Sequence, residues 1–339
     1  MRSAAIVLAG VMGWAAFAMG QSTPAAPTVN YVTAQPGVRL EVLDWGGPPA
    51  HGPRTALIFL AGLGQTAHVF DDFAPRFTGQ YHVYGITRRG FGASSQPAPT
   101  VANYSAGRLG MDVLAVMAAL HLDRPVLVGH SIAGEELSWV GSVHPEQVSG
   151  LIYLDGALGF AYCTNAPDDW VVAMADLWQR LEALRGGASL DEGLAQGMLT
   201  STTQFRDDLQ PLTRQLAEMP RGLPTPSPVT LAVMFGEQEF KAIRAPAMAI
   251  FACPHSVRSM PGIGTDRAAL IREDAARCTA QANAFEQGNP ADPVVRIANA
   301  DHAVFRSNPD VVARAMRDFL GSFGERAQCP WGPGRPVGS

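Results

Sequence analysis

The chain has 339 residues, 47% of them hydrophobic and 16% charged, with 35 glycines and 26 prolines. This is a globular composition rich in turns, which excludes disorder over the whole chain and fits either two domains or one α/β domain carrying an insertion. Twenty-five basic residues against 30 acidic ones give a net charge of -5, and Lys241 is the single lysine, so no basic stripe is present to neutralise phosphates and a nucleic-acid partner is excluded.

Arg2 precedes an apolar, small-residue run from Ala4 to Ala18, and Ala18-Met19-Gly20 offers small residues at the two positions a signal peptidase inspects. Residues 1–20 therefore read as a signal peptide, and the protein as exported, either periplasmic or secreted. The run falls short of the roughly 20 apolar residues of a membrane span. A polar stretch with Pro24 and Pro27 follows, residues 21–37 read as an N-terminal extension, and no stable membrane insertion is expected after signal removal. In an oxidising compartment Cys163, Cys253, Cys278 and Cys329 allow two disulfides in three pairings, among which the sequence does not choose. No pair has CxxC spacing and none sits beside clustered histidines, so no metal site is expected.

Val38 to Trp45 alternates like an edge strand, and Thr55 to Leu60 is a short apolar run closed by Ala61-Gly62-Leu63-Gly64. A helix or irregular turn through Phe70 to Phe77 leads to a strand at Tyr81 to Ile86. Ser105 to Leu120 places Leu109, Val113, Val116, Met117 and Leu120 on one helical face. Pro125 to Val128 reads as a strand, Ile132 to His144 as a helix and Val148 to Leu154 as another strand. This alternation predicts a mostly parallel sheet covered on both faces. Between about Gly156 and Ala242 the rhythm breaks, with helical periodicity at Trp170 to Leu184 and Leu209 to Met219 and no clear strand, as an insertion would give. Ala247 to Ala252 resumes as a strand, followed by a helix from Thr265 to Glu286, a strand at Val294 to Ile297 and a helix from Pro309 to Phe319. The glycine- and proline-bearing tail, residues 322–339, reads as irregular.

The sharpest chemical signal is Val126-Leu127-Val128-Gly129-His130-Ser131-Ile132-Ala133-Gly134. An apolar strand runs into a serine flanked by small residues at -2 and +2, and a helix follows. A tight strand-to-helix turn lifts the hydroxyl above the sheet while helix-start N–H groups face any negative charge beside it. Ser131 needs a base, and His302, in the loop between the last strand and the last helix, lies on the same rim of the sheet. The third member should be a carboxylate that fixes the imidazole tautomer. Asp155, ending the strand before the insertion, has the best position; Asp266 and Asp301 are alternatives. Oxyanion donors would be the backbone N–H groups of Ile132 and Leu63. His130 sits beside the nucleophile as a structural or pocket residue. Arg88 and Arg89 are placed either to meet a substrate carboxylate or to brace their loop.

Together these pieces resemble the α/β-hydrolase family in its lidded, esterase-like branch. They are Phe59-Leu60-Ala61-Gly62-Leu63-Gly64, Thr87-Arg88-Arg89-Gly90-Phe91-Gly92-Ala93-Ser94, Gly129-His130-Ser131-Ile132-Ala133-Gly134 and Asp301-His302. The resemblance implies an eight-stranded, mostly parallel sheet with a core of residues 38–155 and 243–321 and a helical lid at 156–242. It also implies acyl hydrolysis without a cofactor. Ala61 and Ala133 replace residues more usual in the family, and the acid usual after the seventh strand is absent at Pro254-His255, whereas Asp155 matches the position after the sixth that some members use. Members that open epoxides or displace halide use an aspartate nucleophile, against which Ser131 argues. Phe160, Tyr162, Trp170 and Trp178 of the insertion either line an apolar substrate pocket or pack lid against core. The expected function is cleavage of a small to medium apolar, partly aromatic carboxylic ester. Lactone, amide or carbon–carbon hydrolysis, acyl transfer, and non-catalytic ligand binding on the same fold are the alternatives. The expected partner is a small-molecule substrate, with the protein a monomer or homodimer.

Overall fold

Runs of uninterrupted apolar residues cannot leave either face to water, and in this chain they become the central strands. In the computed structural model Ala56–Leu60 (β3), Val126–His130 (β5), Gly150–Leu154 (β6) and Ala247–Ala252 (β7) are buried along their whole length. The described residues are 26–157, 161–162, 177, 180–203, 206, 226–238, 240, 242–256, 267–288 and 290–326. Thr28–Gln35 (β1), Val38–Gly46 (β2), His82–Ile86 (β4) and Val294–Ile297 (β8) complete one eight-stranded sheet of order β1-β2-β4-β3-β5-β6-β7-β8. β2 pairs antiparallel with both β1 and β4, and every other pairing is parallel. The expected mostly parallel eight-stranded sheet is the one observed.

Successive residues of a strand point to opposite faces, and β3 divides accordingly. Ile58 and Leu60 join Val113, Val116, Leu137, Val140 and Phe285 on one side. That side is covered by Ala106–Ala119 (α1), Gly134–Val143 (α2) and Arg267–Gly288 (α4). Leu57 and Phe59 join Phe70, Phe73, Phe77, Phe305 and Met316 on the other, beneath Pro309–Arg326 (α5). Phe59 meets Phe70 at 5.0 Å and Phe70 meets Phe305 at 4.7 Å between ring centroids, tying the third strand to the chain's last elements. Between β6 and β7 the described residues include helical stretches at 180–185 and 192–203 and the helix Pro228–Met234 (α3). Among the described residues no helix is long and apolar enough to cross a membrane.

Two expectations change, and two readings left open are resolved. Residues 28–35, counted as extension, form the edge strand β1; only Val32 of this strand is buried, so its pattern lacks the apolar run that marks the inner strands. The segment from Phe70 to Phe77 resolves into two 3-10 turns, Ala67–Phe70 and Ala74–Phe77. The last helix continues to Arg326 instead of stopping at Phe319, so the first part of the tail read as irregular is helical; a single glycine such as Gly321 weakens a helix by about 1 kcal/mol without ending it. Of the cysteines, Cys253 and Cys278 form a disulfide with a Cα–Cα distance of 5.5 Å. Residues 1–20, Cys163 and Cys329 lie outside the described residues.

The loop after β4 carries two arginines that the sequence left between substrate contact and bracing, and both brace. Arg89 is fully buried and grips Asp112 with two hydrogen bonds, at 2.6 and 2.5 Å. Burial pushes the Asp112 carboxyl up from its ordinary value and the Arg89 guanidinium opposes that rise. Truncating one partner strands the other in the core. Arg89→Met should therefore lower unfolding free energy by about 3 kcal/mol, read from the urea midpoint.

Candidate active site

Ser131 leaves β5 directly into a 3-10 turn, Ser131–Ala133, that opens α2, and it holds φ at 56°. A non-glycine residue in the left-handed region costs roughly 1–2 kcal/mol, and close neighbours hold it there. A Cβ on Gly129 would come within 2.8 Å of Leu137 Cδ1, and one on Gly156 within 2.9 Å of the Ser131 carbonyl oxygen. Small residues at these points let the β6 loop and the helix start press against the elbow from both sides.

Asp155, also left-handed at φ 47°, follows β6 and is completely buried. Its Oδ1 accepts the Ala252 N–H at 3.0 Å. His302 lies between β8 and the helical turn Val304–Ser307. Its Nδ1 is 2.7 Å from Asp155 Oδ2, and its Nε2 is 2.9 Å from Ser131 Oγ. With Nδ1–H donated to the carboxylate, Nε2 presents its lone pair to the serine hydroxyl. The imidazole side chain is 43% exposed whereas Asp155 is 0% exposed, so the relay runs from a dry interior outward to a reachable hydroxyl. Burial alone would raise the Asp155 pKa; hydrogen bonds from His255 and then His302 outweigh it and hold the carboxylate below its ordinary value.

His255 was not anticipated in this role. It stands in the loop after β7, the position where the family usually carries its acid, and its Nε2 reaches the same Asp155 Oδ2 at 2.7 Å. On its other side Nδ1 lies 3.0 Å from Asp274 Oδ1 of α4. The hydrogen bond with Asp155 is the largest influence on His255 and raises its pKa, against the opposing effect of burial. Asp155, His255 and His302 are also close enough to share an ion. All four ring nitrogens are, however, already directed at Asp155, Asp274 or Ser131, so the donor set is that of a hydrogen-bonded relay and no ligand role is given to it.

His130, expected as a structural or pocket residue, is 2% exposed and sits behind His302. Its Nε2–H donates to the His302 carbonyl at 3.2 Å, and its ring lies 4.7 Å from the His302 ring and 5.1 Å from Phe305. Burial, with the nearby His302 second, pushes its pKa down from 6.5 to about 4. An unfolded chain binds that proton below pH 6.5 while the folded one refuses it, so stability is lost as pH falls from 6.5 towards 4. The expected difference across this range is about 3 kcal/mol, and His130→Gln should flatten it in urea melts measured at several pH values.

Arg88 donates to Glu136 at 2.5 Å and to the carbonyls of Ala61 and Gly62 at 3.0 and 3.4 Å. Carbonyl and N–H point opposite ways in a trans peptide, so anchoring the Gly62 carbonyl on Arg88 turns the Leu63 N–H away from it. Leu63 and Ile132 share one apolar cluster with Phe91, Tyr104, Val229 and Met234, which brings α3 over the elbow. That apolar wall was missed because its members come from five separate segments. Tyr162, left open between lining a substrate pocket and packing against the core, takes the second role: its hydroxyl donates to the Ile243 carbonyl at 3.1 Å and its ring meets Phe285 at 5.2 Å. Phe160, Trp170, Trp178 and the alternative acid Asp266 lie outside the described residues.

Residues 57–315 match the alpha/beta hydrolase family. The chain is 36% identical over 106 residues to fluoroacetate dehalogenase of Burkholderia sp, a match covering 31% of this chain and 35% of that protein's length. It is 25% identical over 265 residues to pyrethroid hydrolase of Sphingobium wenxiniae, covering 71% of this chain and 84% of that one. Among solved structures, E-2-(acetamidomethylene)succinate hydrolase superposes with a TM-score of 0.53 at 17% identity, covering 87% of this chain and 99% of the other. At that identity the likeness is one of fold.

Proposed function

The chain belongs to the alpha/beta hydrolase family, and from that premise we propose that it is an exported serine hydrolase that cleaves an apolar carboxylic ester through an acyl-enzyme. The observation that carries this reading is the continuous chain of hydrogen bonds from Ser131 Oγ through His302 to the buried Asp155 carboxylate, at 2.9 and 2.7 Å. A fold used only for ligand binding has no need of a strained serine aimed at an oriented imidazole.

In this mechanism His302 Nε2 takes the Ser131 proton as Oγ attacks the ester carbonyl. The Nδ1–H bond to Asp155 keeps the imidazole in the accepting tautomer and stabilises the imidazolium that forms. The backbone N–H groups of Ile132 and Leu63 receive the tetrahedral oxyanion. His302 then returns the proton to the departing alcohol, and a water molecule, activated by the same nitrogen, releases the acid and restores Ser131. The cluster around Leu63, Phe91, Ile132, Val229 and Met234 supports an apolar substrate, and the insertion that supplies Val229 and Met234 acts as the lid. No cofactor enters any step. The pyrethroid hydrolase and dehalogenase likenesses fit the fold, and Ser131 separates the chain from members that displace halide with an aspartate. Export rests on the N-terminal segment and is supported by the Cys253–Cys278 disulfide, which suits an oxidising compartment.

The test is incubation with a fluorophosphonate followed by peptide mapping, alongside turnover of a short p-nitrophenyl ester with and without added alcohol. Labelling on Ser131 and release of free acid are expected. Ester formation with the added alcohol would turn the reading to acyl transfer, and folded protein with neither label nor turnover would refute it.

A further inference from the structure

The carboxylate behind His302 serves two imidazoles, and the second of them is unused by the mechanism above. Asp155 Oδ2 is 2.7 Å from His302 Nδ1 and 2.7 Å from His255 Nε2. His255 has an anion on each side, since its Nδ1 also lies 3.0 Å from Asp274 Oδ1 and its backbone N–H donates to Asp274 Oδ2 at 2.8 Å. A neutral imidazole carries one N–H, so it would turn a lone pair towards one of the two carboxylates. Only the imidazolium donates to both.

The position is held from several directions. Cys253, two residues before His255, is bonded to Cys278, one helical turn after Asp274, so the disulfide clamps the loop to α4 on the face that carries the carboxylate. The same loop is stitched to the His302 loop by Asn299 N–H on the Pro254 carbonyl at 2.8 Å and Ser256 N–H on the Ala300 carbonyl at 2.7 Å. The 6.1 Å separation of the His255 and His302 rings is therefore set by covalent and backbone restraints.

We propose that His255 is a positioning residue of the relay, a standing imidazolium that shares the Asp155 carboxylate with His302 and thereby keeps His302 able to accept the Ser131 proton at lower pH. The reasoning is electrostatic. A full negative charge on Asp155 favours the protonated form of His302, and a cation on the same oxygen removes part of that preference. The charged and titratable groups facing the pair are Asp155 from the β6 loop, Asp274 with Arg277 from α4 and His130 from β5, the last of which also feels Arg306 from the turn after His302. Asp274, with Arg277 only 3.3 Å away at the surface, supplies the second anion that holds the proton on His255. The raised pKa of His255, owed first to its hydrogen bond with Asp155, agrees with this arrangement.

This inference rests on Ser131 being the nucleophile, and the experiment separates the two. The rate of fluorophosphonate labelling of the full chain is measured against pH for wild type, His255→Gln and His255→Lys. Labelling of wild type at Ser131 tests the nucleophile by itself. With that in hand, the acidic limb of His255→Gln should lie about one pH unit above that of wild type, a roughly tenfold slower labelling at low pH. His255→Lys, which keeps a cation, should return the limb towards wild type. Superimposed limbs in wild type and His255→Gln, or equal displacement in both variants, would overturn the proposal. If the variants do not fold, side-chain 15N spectra of wild type at neutral pH decide: both His255 nitrogens protonated supports it, and a neutral ring defeats it.

Discussion

Ser131→Ala should fold as wild type does and lose essentially all ester turnover, by about 10^4-fold or more, together with all fluorophosphonate labelling. The removed atom is small and partly exposed, and the backbone at φ 56° is as accessible to alanine as to serine, so thermal stability should move by less than about 1 kcal/mol. Among the hydrogen bonds of the described residues, the only hydroxyl on His302 Nε2 is that of Ser131. Among the described residues no neighbouring group stands ready to take over the covalent step. Residual rate above background would come from the oxyanion donors and binding alone. Retention of more than about a tenth of wild-type turnover by the folded variant would mean that the bond is broken by water directly or by another nucleophile.

Which parts of this design could be read from the sequence follows from how local each signal is. The inner strands were legible because a strand buried on both faces is a run of apolar residues cut by glycine, as at Ala56–Leu60 and Val126–His130. β1 was not, because an edge strand with one buried residue in eight carries almost no hydrophobic period. Its signals were weaker ones, the β-branched Thr28, Val29, Val32 and Thr33 and the Pro36-Gly37 turn, with Gly37 at φ 79°. The elbow was legible because strand, serine and helix lie within nine residues. Ser131 and His302 are 171 positions apart, yet both sit at carboxyl ends of parallel strands, and the sheet converts that shared topology into a 2.9 Å contact.

What escaped is the part that depends on side chains meeting across elements. His255 and Asp274 are 19 residues apart, one on a loop and one on a helix, and no periodicity links them. The available clue was the position itself: a histidine stands after β7 where an acid is usual in the family. The apolar wall of Phe91, Val229 and Met234 escaped for the same reason, and Tyr162 stayed open between two roles because an aromatic at the root of an insertion can turn towards the core as easily as towards a cavity.

Asp155→Asn should lower turnover by roughly 10^4-fold, more than any other single change in the relay apart from loss of Ser131 or His302. An amide nitrogen facing His302 Nδ1 favours the opposite tautomer, with the proton on Nε2 pointing at Ser131 Oγ, where it cannot receive another. In this chain the damage spreads further, because the same oxygen also holds His255 and its neighbour accepts the Ala252 N–H. The variant should also be less stable at neutral pH by about 1–3 kcal/mol, since a buried donor loses its charged acceptor. The result separates the candidate acids. Asp274→Asn, one imidazole further from the serine, should leave the maximal rate within about tenfold of wild type, because its effect reaches His302 only through His255. If Asp155→Asn kept a rate within tenfold of wild type while Asp266→Asn abolished it, the carboxylate after β6 would be a structural anchor and the acid would lie in the segment after β7.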